Sequence, residues 1–198
     1  QWGAEEAMNV CILRGSPRKN GNTNSLLVPF VETLKEAGAT CFDFDLHTMK
    51  LEGCVACCCC QKSHEQFNCS RKDDLQQVFD AIMQSDLIVL ATPIYSWFCT
   101  PSMKIALDRL VYGMNKIYSP NPGPRLWEGK SLAMVISCGY KPDKGADLFE
   151  EAMGRYCKHS RLNYKGMLAE RHLGYHVEFM DDEKVQHARD FAKKLLEA

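Results

Sequence analysis

Residues 9–25 read NVCILRGSPRKNGNTNS, and this stretch decides the fold. Its first five residues form a short apolar run typical of a buried strand, and a segment rich in Gly, Ser, Pro and Asn follows. A pattern with helical spacing of apolar residues then extends over residues 23–37. A strand, a polar loop and a helix in this order predict the first unit of an α/β sheet.

The same alternation recurs along the rest of the chain. Further strands are predicted at residues 40–46, 86–92, 131–137 and 165–169. The helices after them are predicted to begin near Asp73, Pro101, Ala146 and Asp181. Because a helix after each strand returns the chain to the same end of the sheet, we expect five parallel strands with helices on both faces. Ligands of such sheets bind beyond the carboxyl ends of the strands.

The composition is that of a globular protein. The 198 residues are 45% hydrophobic and 25% charged, which predicts a single domain over residues 8–198. Residues 1–7 are interpreted as an expression remnant outside the fold, and residues 51–72 as a cysteine-rich loop inserted into it. The net charge of -1 gives no basis for a nucleic-acid or membrane partner, and no apolar run approaches the roughly 18 residues of a membrane span. We therefore expect a cytoplasmic protein.

The loop after the first strand has the features of a phosphate site. Gly15 and Gly21 allow tight turns, and hydroxyl and amide side chains precede the helix. Free backbone N–H groups and the positive end of the helix dipole favour an anion at such a place, and Arg18 adds a charge. The loop matches neither the P-loop motif nor the Rossmann fingerprint. A polar loop that only caps the helix is the alternative interpretation.

The loop after the third strand, residues 92–110, reads TPIYSWFCTPSMKIALDRL. It places Tyr95, Trp97 and Phe98 at the edge of the sheet where a ligand would lie. Aromatic side chains at this position favour a flat conjugated ring, although core packing explains Ile94 and Leu107 equally well.

Three segments together resemble a known family. They are GSPRKNGNTNSLL near the start, the cysteine-rich loop that ends in CSRKDDL, and ATPIYSW followed by MKIALDRL. Over residues 9–145 the chain resembles the NADPH-dependent FMN reductase family, and in particular its iron-sulfur flavoprotein branch. The resemblance implies a flavodoxin-like three-layer sandwich with strand order 2-1-3-4-5, noncovalently bound FMN, and NAD(P)H as co-substrate. It also implies a homodimer or homotetramer.

The resemblance assigns roles to residues in three loops. The FMN phosphate would be held by Ser16, Arg18, Asn22, Thr23 and Asn24. The isoalloxazine would lie along Pro93, Ile94, Tyr95, Ser96 and Trp97. The other side of the pocket would be completed by Cys138, Gly139 and Tyr140. No acid-base side chain is expected to be catalytic, since the flavin carries the chemistry.

Six of the eleven cysteines lie between positions 54 and 69, in the loop GCVACCCCQKSHEQFNC. Cys54, Cys57, Cys60 and Cys69 have a compact spacing that suits a 4Fe-4S cluster, and the iron-sulfur flavoprotein branch carries such a motif. His64 lies in the last gap and is an alternative ligand. Structural zinc and a thiol or metal-free loop remain the alternatives, and the cluster leaves Cys58 and Cys59 without a role.

These patterns predict an FMN-dependent NAD(P)H oxidoreductase. Its electrons would pass through FMN to a small molecule such as a quinone, a nitro- or azo-aromatic or a flavin. The alternative is an electron carrier that uses FMN, a 4Fe-4S cluster and a ferredoxin-like partner protein.

Overall fold

The computed structural model describes residues 7–197, so most of the segment interpreted as a remnant lies outside the described residues. Its sheet has five parallel strands in the order β2-β1-β3-β4-β5, which confirms the predicted order. The strands are β1 (Asn9–Arg14), β2 (Thr40–Asp45), β3 (Leu87–Pro93), β4 (Ser131–Cys138) and β5 (Asn163–Arg171).

Six helices connect or follow these strands within residues 7–197. They are α1 (Asn22–Glu36), α2 (Leu75–Gln84), α3 (Pro101–Met114), α4 (Pro142–Gly145), α5 (Asp147–Ser160) and α6 (Asp182–Leu196). The short helix α4 precedes the helix that was predicted to begin near Ala146, and Pro142 at its first position suits a helix start. The last strand, β5, extends two residues beyond the prediction at each end. It is a half-buried edge strand with a register shift against β4, so its apolar pattern is weak.

The helices cover both faces of the sheet. Alternate residues of β1 point to opposite faces, as the pleat requires. Cys11 and Leu13 belong to a core formed with α2, α3 and α5, whereas Val10 and Ile12 belong to a second core formed with α1 and α6. The sheet between two layers of helices therefore confirms the predicted flavodoxin-like three-layer sandwich. None of the helices in the described part of the chain combines the length and apolarity that crossing a membrane requires.

The strand order reverses at β1, because β2 lies on one side of it and β3 on the other. The loops that leave β1 and β3 consequently diverge and open a crevice. Gly15 lies where the two loops come close. A Cβ at Gly15 would lie 2.8 Å from Thr100 Oγ1, whose hydroxyl donates a hydrogen bond of 2.7 Å to the Gly15 carbonyl. The crevice therefore depends on a residue without a side chain at this position.

Candidate functional site

The predicted phosphate loop folds around the start of α1. The helix begins after Gly21 with no side-chain cap, and Ser25 is the first residue whose N–H bonds back to the Gly21 carbonyl. The first-turn N–H groups therefore remain available to an anion. The Asn24 side chain shapes the loop instead, since Nδ2 donates to the carbonyls of Arg18 and Lys19 at 2.9 and 3.1 Å.

A cavity of about 200 Å³ lies in front of this helix start. Its wall combines residues from the loops after β1 and β3, as the sequence predicted. Four of the five residues predicted for the phosphate line it, namely Ser16, Arg18, Asn22 and Thr23, together with Pro93, Ile94 and Tyr95 from the third loop. Thr23 is 1% exposed and its hydroxyl lies 2.8 Å from Ser137 Oγ, so Thr23 is tied to the end of β4.

The third loop forms a tight hairpin that displays its aromatic residues. Tyr95 and Phe98 exchange backbone hydrogen bonds of 2.8 and 3.0 Å. Between them Ser96 and Trp97 adopt φ values of 49° and 63°, the left-handed conformation of a type I′ turn. Two consecutive non-glycine residues in this conformation are strained, and such strain is concentrated at functional sites. The N–H groups of Ser96 and Trp97 bond to no other group among residues 7–197, so they can meet a ligand.

A second depression of about 300 Å³ continues from the first. The two share Ile94 and His172. Besides Ile94, five residues predicted for the ring or for the other side of the pocket line the second depression, namely Ser96, Trp97, Cys138, Gly139 and Tyr140. The rings of Trp97 and Tyr140 are nearly parallel, with an angle of 10° and centroids 6.0 Å apart. Both side chains are about half exposed, so a flat ring can reach them from solvent.

The Cys138 thiol is buried and structural. Burial raises its pKa to about 11, and its Sγ donates to the Tyr140 carbonyl at 3.2 Å. This bond holds the turn after β4 in place. Cys138 therefore contributes to the site by positioning backbone, and its thiol stays protonated at neutral pH.

Several residues of the site were not predicted from the sequence. Ser137, His172 and Tyr175 line the first cavity. His172 extends the pairing of β4 with β5, because its N–H donates to the Cys138 carbonyl at 2.9 Å. The Arg18 guanidinium lies 5.1 Å from the centre of the Tyr175 ring, a cation–π contact that closes the cavity from the opposite side. Ser137 lies at the end of β4. No local motif marks His172 and Tyr175, because β5 brings them to the site through the sheet.

The two cavities together fit FMN. At one end are an uncapped helix start, hydroxyls and the Arg18 cation, which suit a phosphate. At the other end are exposed aromatic rings and two unpaired N–H groups, which suit a polar conjugated ring. The residues that would hold the cofactor come from the carboxyl ends of β1, β3 and β4, at the place where such sheets bind ligands.

The cysteine loop packs on the C-terminal half of α3 and is anchored there by buried polar groups. The Lys116 ammonium donates to the carbonyls of Cys60 and Gln66 at 2.7 and 2.6 Å. Gln61 Nε2 donates to the carbonyls of Tyr112 and Asn115 at 2.7 and 3.1 Å, at the end of the helix. Phe67 is buried against Phe79, with ring centroids 5.0 Å apart. The loop is therefore built into the structure at both ends of the cysteine run.

All four predicted cluster ligands line one cavity of about 140 Å³. They are Cys54, Cys57, Cys60 and Cys69, and Cys58 also lies on the wall. Cys59 is outside the lining, and its carbonyl accepts a hydrogen bond from Asn68 at 2.7 Å. His64 is also outside the lining, with Nε2 3.0 Å from the Asn121 carbonyl oxygen. The alternative role of His64 as a ligand therefore has no support in this arrangement.

Polar groups act directly on the thiols of this cavity. Ser70 Oγ lies 2.9 Å from Cys57 Sγ, and this hydrogen bond, together with those from Cys59, lowers the pKa of Cys57 to about 7. Arg109 Nη2 donates to Cys69 Sγ at 3.3 Å. Burial raises the pKa of Cys60. The cavity therefore holds at least one thiol that ionises near neutrality and one that already accepts a cationic donor.

The Arg109 side chain is 1% exposed and pairs with Asp73. Desolvation acts to raise the pKa of Asp73. The hydrogen bonds from Arg109 and from the N–H groups of Glu52 and Leu75, together with the Arg109 charge, outweigh it and hold this pKa below its usual value. Arg109 and Asp73 are therefore both charged at neutral pH. The positive charge of Arg109 lies at the wall of the cysteine cavity.

The donor set suits a cluster. Among residues 7–197 no three His, Cys, Asp or Glu side chains are placed to hold one metal ion. A four-iron cluster takes one cysteine at each of its irons. The lining of this cavity offers four such cysteines, and two buried guanidinium nitrogens without a partner belong to Arg71 and Arg109, which also line it.

The chain is similar to two archaeal proteins that are named iron-sulfur flavoproteins. An iron-sulfur flavoprotein from Archaeoglobus fulgidus is 25% identical over 197 residues, which cover 96% of this chain and 80% of that protein. An iron-sulfur flavoprotein from Methanocaldococcus jannaschii is 29% identical over 141 residues, which cover 71% of this chain and 66% of that protein.

Among solved structures, an NAD(P)H:quinone oxidoreductase from Methanothermobacter marburgensis has the same fold. Its TM-score is 0.69 at 22% sequence identity, with 96% of this chain and 98% of that chain covered. The family model described as NADPH-dependent FMN reductase matches residues 8–153, which include the loops after β1, β2, β3 and β4. The chain therefore belongs to the NADPH-dependent FMN reductase family, and it is a flavin-dependent oxidoreductase.

Proposed function

We propose that this chain oxidises NAD(P)H and passes the electrons to a flat aromatic acceptor, such as a quinone, a nitro- or azo-aromatic or a second flavin. One observation carries the proposal. The parallel rings of Trp97 and Tyr140 are half exposed at the open end of the site, beside the strained hairpin. An open, aromatic-walled depression suits a planar molecule and imposes few contacts that would exclude related ones.

Bound FMN supplies the redox chemistry, since it accepts a hydride from a nicotinamide and donates electrons to an acceptor. The chain supplies position and electrostatics. The start of α1 and Arg18 would hold the phosphate, while the N–H groups of Ser96 and Trp97 would stabilise negative charge at the polar edge of the ring. The Cys138 turn fixes the opposite wall through its bond to the Tyr140 carbonyl.

The test is anaerobic mixing of FMN-loaded protein with NADH or NADPH, followed by addition of a quinone or a nitroaromatic. We expect the flavin absorbance to bleach with at least one nicotinamide and to return when the acceptor is added. Arg18→Ala should retain less FMN after gel filtration, whereas Lys19→Ala should retain it fully. Lys19 is the matched control because it is an exposed neighbouring cation outside the cavity lining. Failure of both nicotinamides to bleach the flavin would contradict the proposal.

A second function is favoured by the cysteine cavity. In this proposal the chain is an electron carrier, with a 4Fe-4S cluster held by Cys54, Cys57, Cys60 and Cys69. The names of the two archaeal relatives agree with it. A carrier should be reduced by a ferredoxin-like protein and should not respond to NAD(P)H. Iron and sulfide assays on protein purified without oxygen test the cluster, with about four irons per chain expected.

The homodimer or homotetramer implied by the family resemblance stays a prediction. Light scattering of the FMN-loaded protein tests it, and a mass of one chain would contradict it.

A further inference from the structure

Buried polar atoms without a partner are rare in folded proteins, and each of them needs an explanation. Within residues 7–197 only three buried side-chain nitrogen or oxygen atoms lack a hydrogen-bond partner, namely Asn24 Oδ1, Arg71 Nε and Arg109 Nε. Two of them are guanidinium nitrogens, and both arginines line the cysteine cavity. An arginine Nε–H can only donate, so these two positions call for an acceptor in the cavity.

The terminal nitrogens of Arg109 are already engaged. Nη1 donates to the Glu52 carbonyl at 3.0 Å and to Asp73 Oδ2 at 2.5 Å. Nη2 donates to Cys69 Sγ at 3.3 Å and to the Arg71 carbonyl at 3.3 Å. These contacts fix the guanidinium plane beside the sulfur of a predicted ligand. The remaining N–H group is held in position by its neighbours and is not free to turn to solvent.

Arg71 follows two residues after Cys69 and is linked to the same wall. Its Nη1 lies 2.5 Å from Glu52 Oε2, a pair in which the Arg71 side chain is 36% exposed and the Glu52 side chain 61% exposed. The outer edge of Arg71 therefore faces solvent while Nε is buried beside the cavity. The two arginines together place two positive charges on one side of the cysteines.

We propose that Arg71 and Arg109 are donors to the sulfur atoms of the group held by the four cysteines, and that they raise its reduction potential. This inference rests on the proposed cluster. Thiolates and sulfides make such a group anionic, and one-electron reduction adds a further negative charge. Hydrogen bonds to the sulfurs and nearby positive charge stabilise the reduced form, so they make its reduction more favourable.

Arg71→Gln is the informative variant, because it removes the cation and the Nε–H group from a side chain that is partly exposed. Glu52→Gln is its matched control, since it breaks the same ion pair and keeps Arg71. Removing Arg71 should lower the potential, whereas removing the Glu52 carboxylate should leave it unchanged or raise it slightly. The two variants are therefore distinguished by the potential, which should fall only in Arg71→Gln.

The measurement is an anaerobic titration of the full chain with dithionite, followed by the electron paramagnetic resonance of the reduced cluster. We expect Arg71→Gln to make reduction about tenfold less favourable, a decrease of about 59 mV for one electron. Arg109→Lys, which keeps the charge and loses the Nε–H group, should shift the potential in the same direction by a smaller amount. Loss of iron from Arg71→Gln alone, with Glu52→Gln fully loaded, would also support the donor role.

Two results would overturn the inference, and they differ in what they mean. Iron in the wild-type protein, with the same potential in Arg71→Gln and Glu52→Gln, would overturn the role of the arginines and leave the cluster intact. Absence of iron and sulfide from the wild-type protein prepared without oxygen would overturn the cluster and the arginine roles together.

Discussion

Thr23 Oγ1 and Ser137 Oγ lie 2.8 Å apart in the interior, and their hydrogen bond joins the first turn of α1 to the end of β4. The bond connects the two edges of the predicted phosphate cavity, because both residues line it. Thr23 thus supports the cavity from behind, in addition to the phosphate contact expected from the family resemblance.

We expect Thr23→Val and Ser137→Ala each to lower the free energy of unfolding of the cofactor-free protein by about 1–3 kcal/mol. Each substitution removes one buried hydroxyl and leaves the other one without its hydrogen-bond partner. The double variant should be less destabilised than the sum of the two, by about 1 kcal/mol. Urea denaturation of the four proteins measures this coupling. Strict additivity would show that the two hydroxyls do not interact.

Trp97 is about half exposed and is predicted to lie along the flavin ring. Trp97→Leu should weaken FMN binding by roughly 2–12-fold, which corresponds to about 0.5–1.5 kcal/mol for an aromatic contact. Trp97→Phe keeps a ring and should lose less. Titration of the cofactor-free protein, followed by quenching of FMN fluorescence, gives the dissociation constants. Equal affinity in Trp97→Leu and the wild type would remove Trp97 from the proposed ring site.

Gly113 in α3 provides a test of the anchoring of the cysteine loop. A Cβ at this position would collide with the Phe67 ring, whereas a Cβ at Gly154 in α5 would meet no other atom within 4 Å. Gly113→Ala should therefore destabilise the protein by about 1–3 kcal/mol through overpacking, while Gly154→Ala should stabilise it by about 0.5–1 kcal/mol. Thermal or urea unfolding measures both changes, and stabilisation by Gly113→Ala would show that the loop packs differently.

The ion pair between Glu170 and His187 predicts a pH dependence. Nδ1 of His187 lies 2.7 Å from Glu170 Oε1, and this contact raises the pKa of His187 above 6.5. Because the pKa is higher in the folded state, the pair stabilises the fold fully below about pH 6.5, and this contribution disappears as the pH rises through the raised value. The half-exposed pair is screened by solvent, so the effect is small.

The stability difference between the wild type and His187→Gln should accordingly be larger at about pH 5.5 than at about pH 8.5. Urea midpoints at the two pH values measure it. Glu170→Gln should reduce the same pH dependence, and the remainder comes from Glu183 and Asp190, which also raise the pKa of His187. A difference that grows with pH would contradict the assignment of the ion pair.

The sequence predicted the sheet because each strand carries its own signal. The apolar runs of β1, β3 and β4 are continuous, and a helix follows each of them, which leaves parallel pairing as the consistent arrangement. The length of β5 was underestimated, because an edge strand with half-buried residues shows a weak pattern.

Local sequence patterns could not predict the contacts between residues that lie far apart in the chain. His172 and Tyr175 reach the site only because β5 pairs with β4, and the sequence around them has no motif. The spacing of the four cysteines predicted that they would share one cavity, but it could not reveal the pairing of Arg109 with Asp73, which are 36 residues apart. In the sequence alone, Arg109 resembles an ordinary surface residue of a helix, because its buried partner Asp73 is not apparent.

The helix α3 connects the two sites of this protein, which restricts insertions and deletions within it. The helix begins next to the aromatic hairpin and carries Arg109 and Tyr112 on the cysteine cavity, so its 14 residues act as a spacer about 21 Å long. Inserting or deleting one residue between Pro101 and Arg109 would turn Arg109 by about 100° away from Asp73 and Cys69. The length of α3 is therefore fixed by the two sites that it connects.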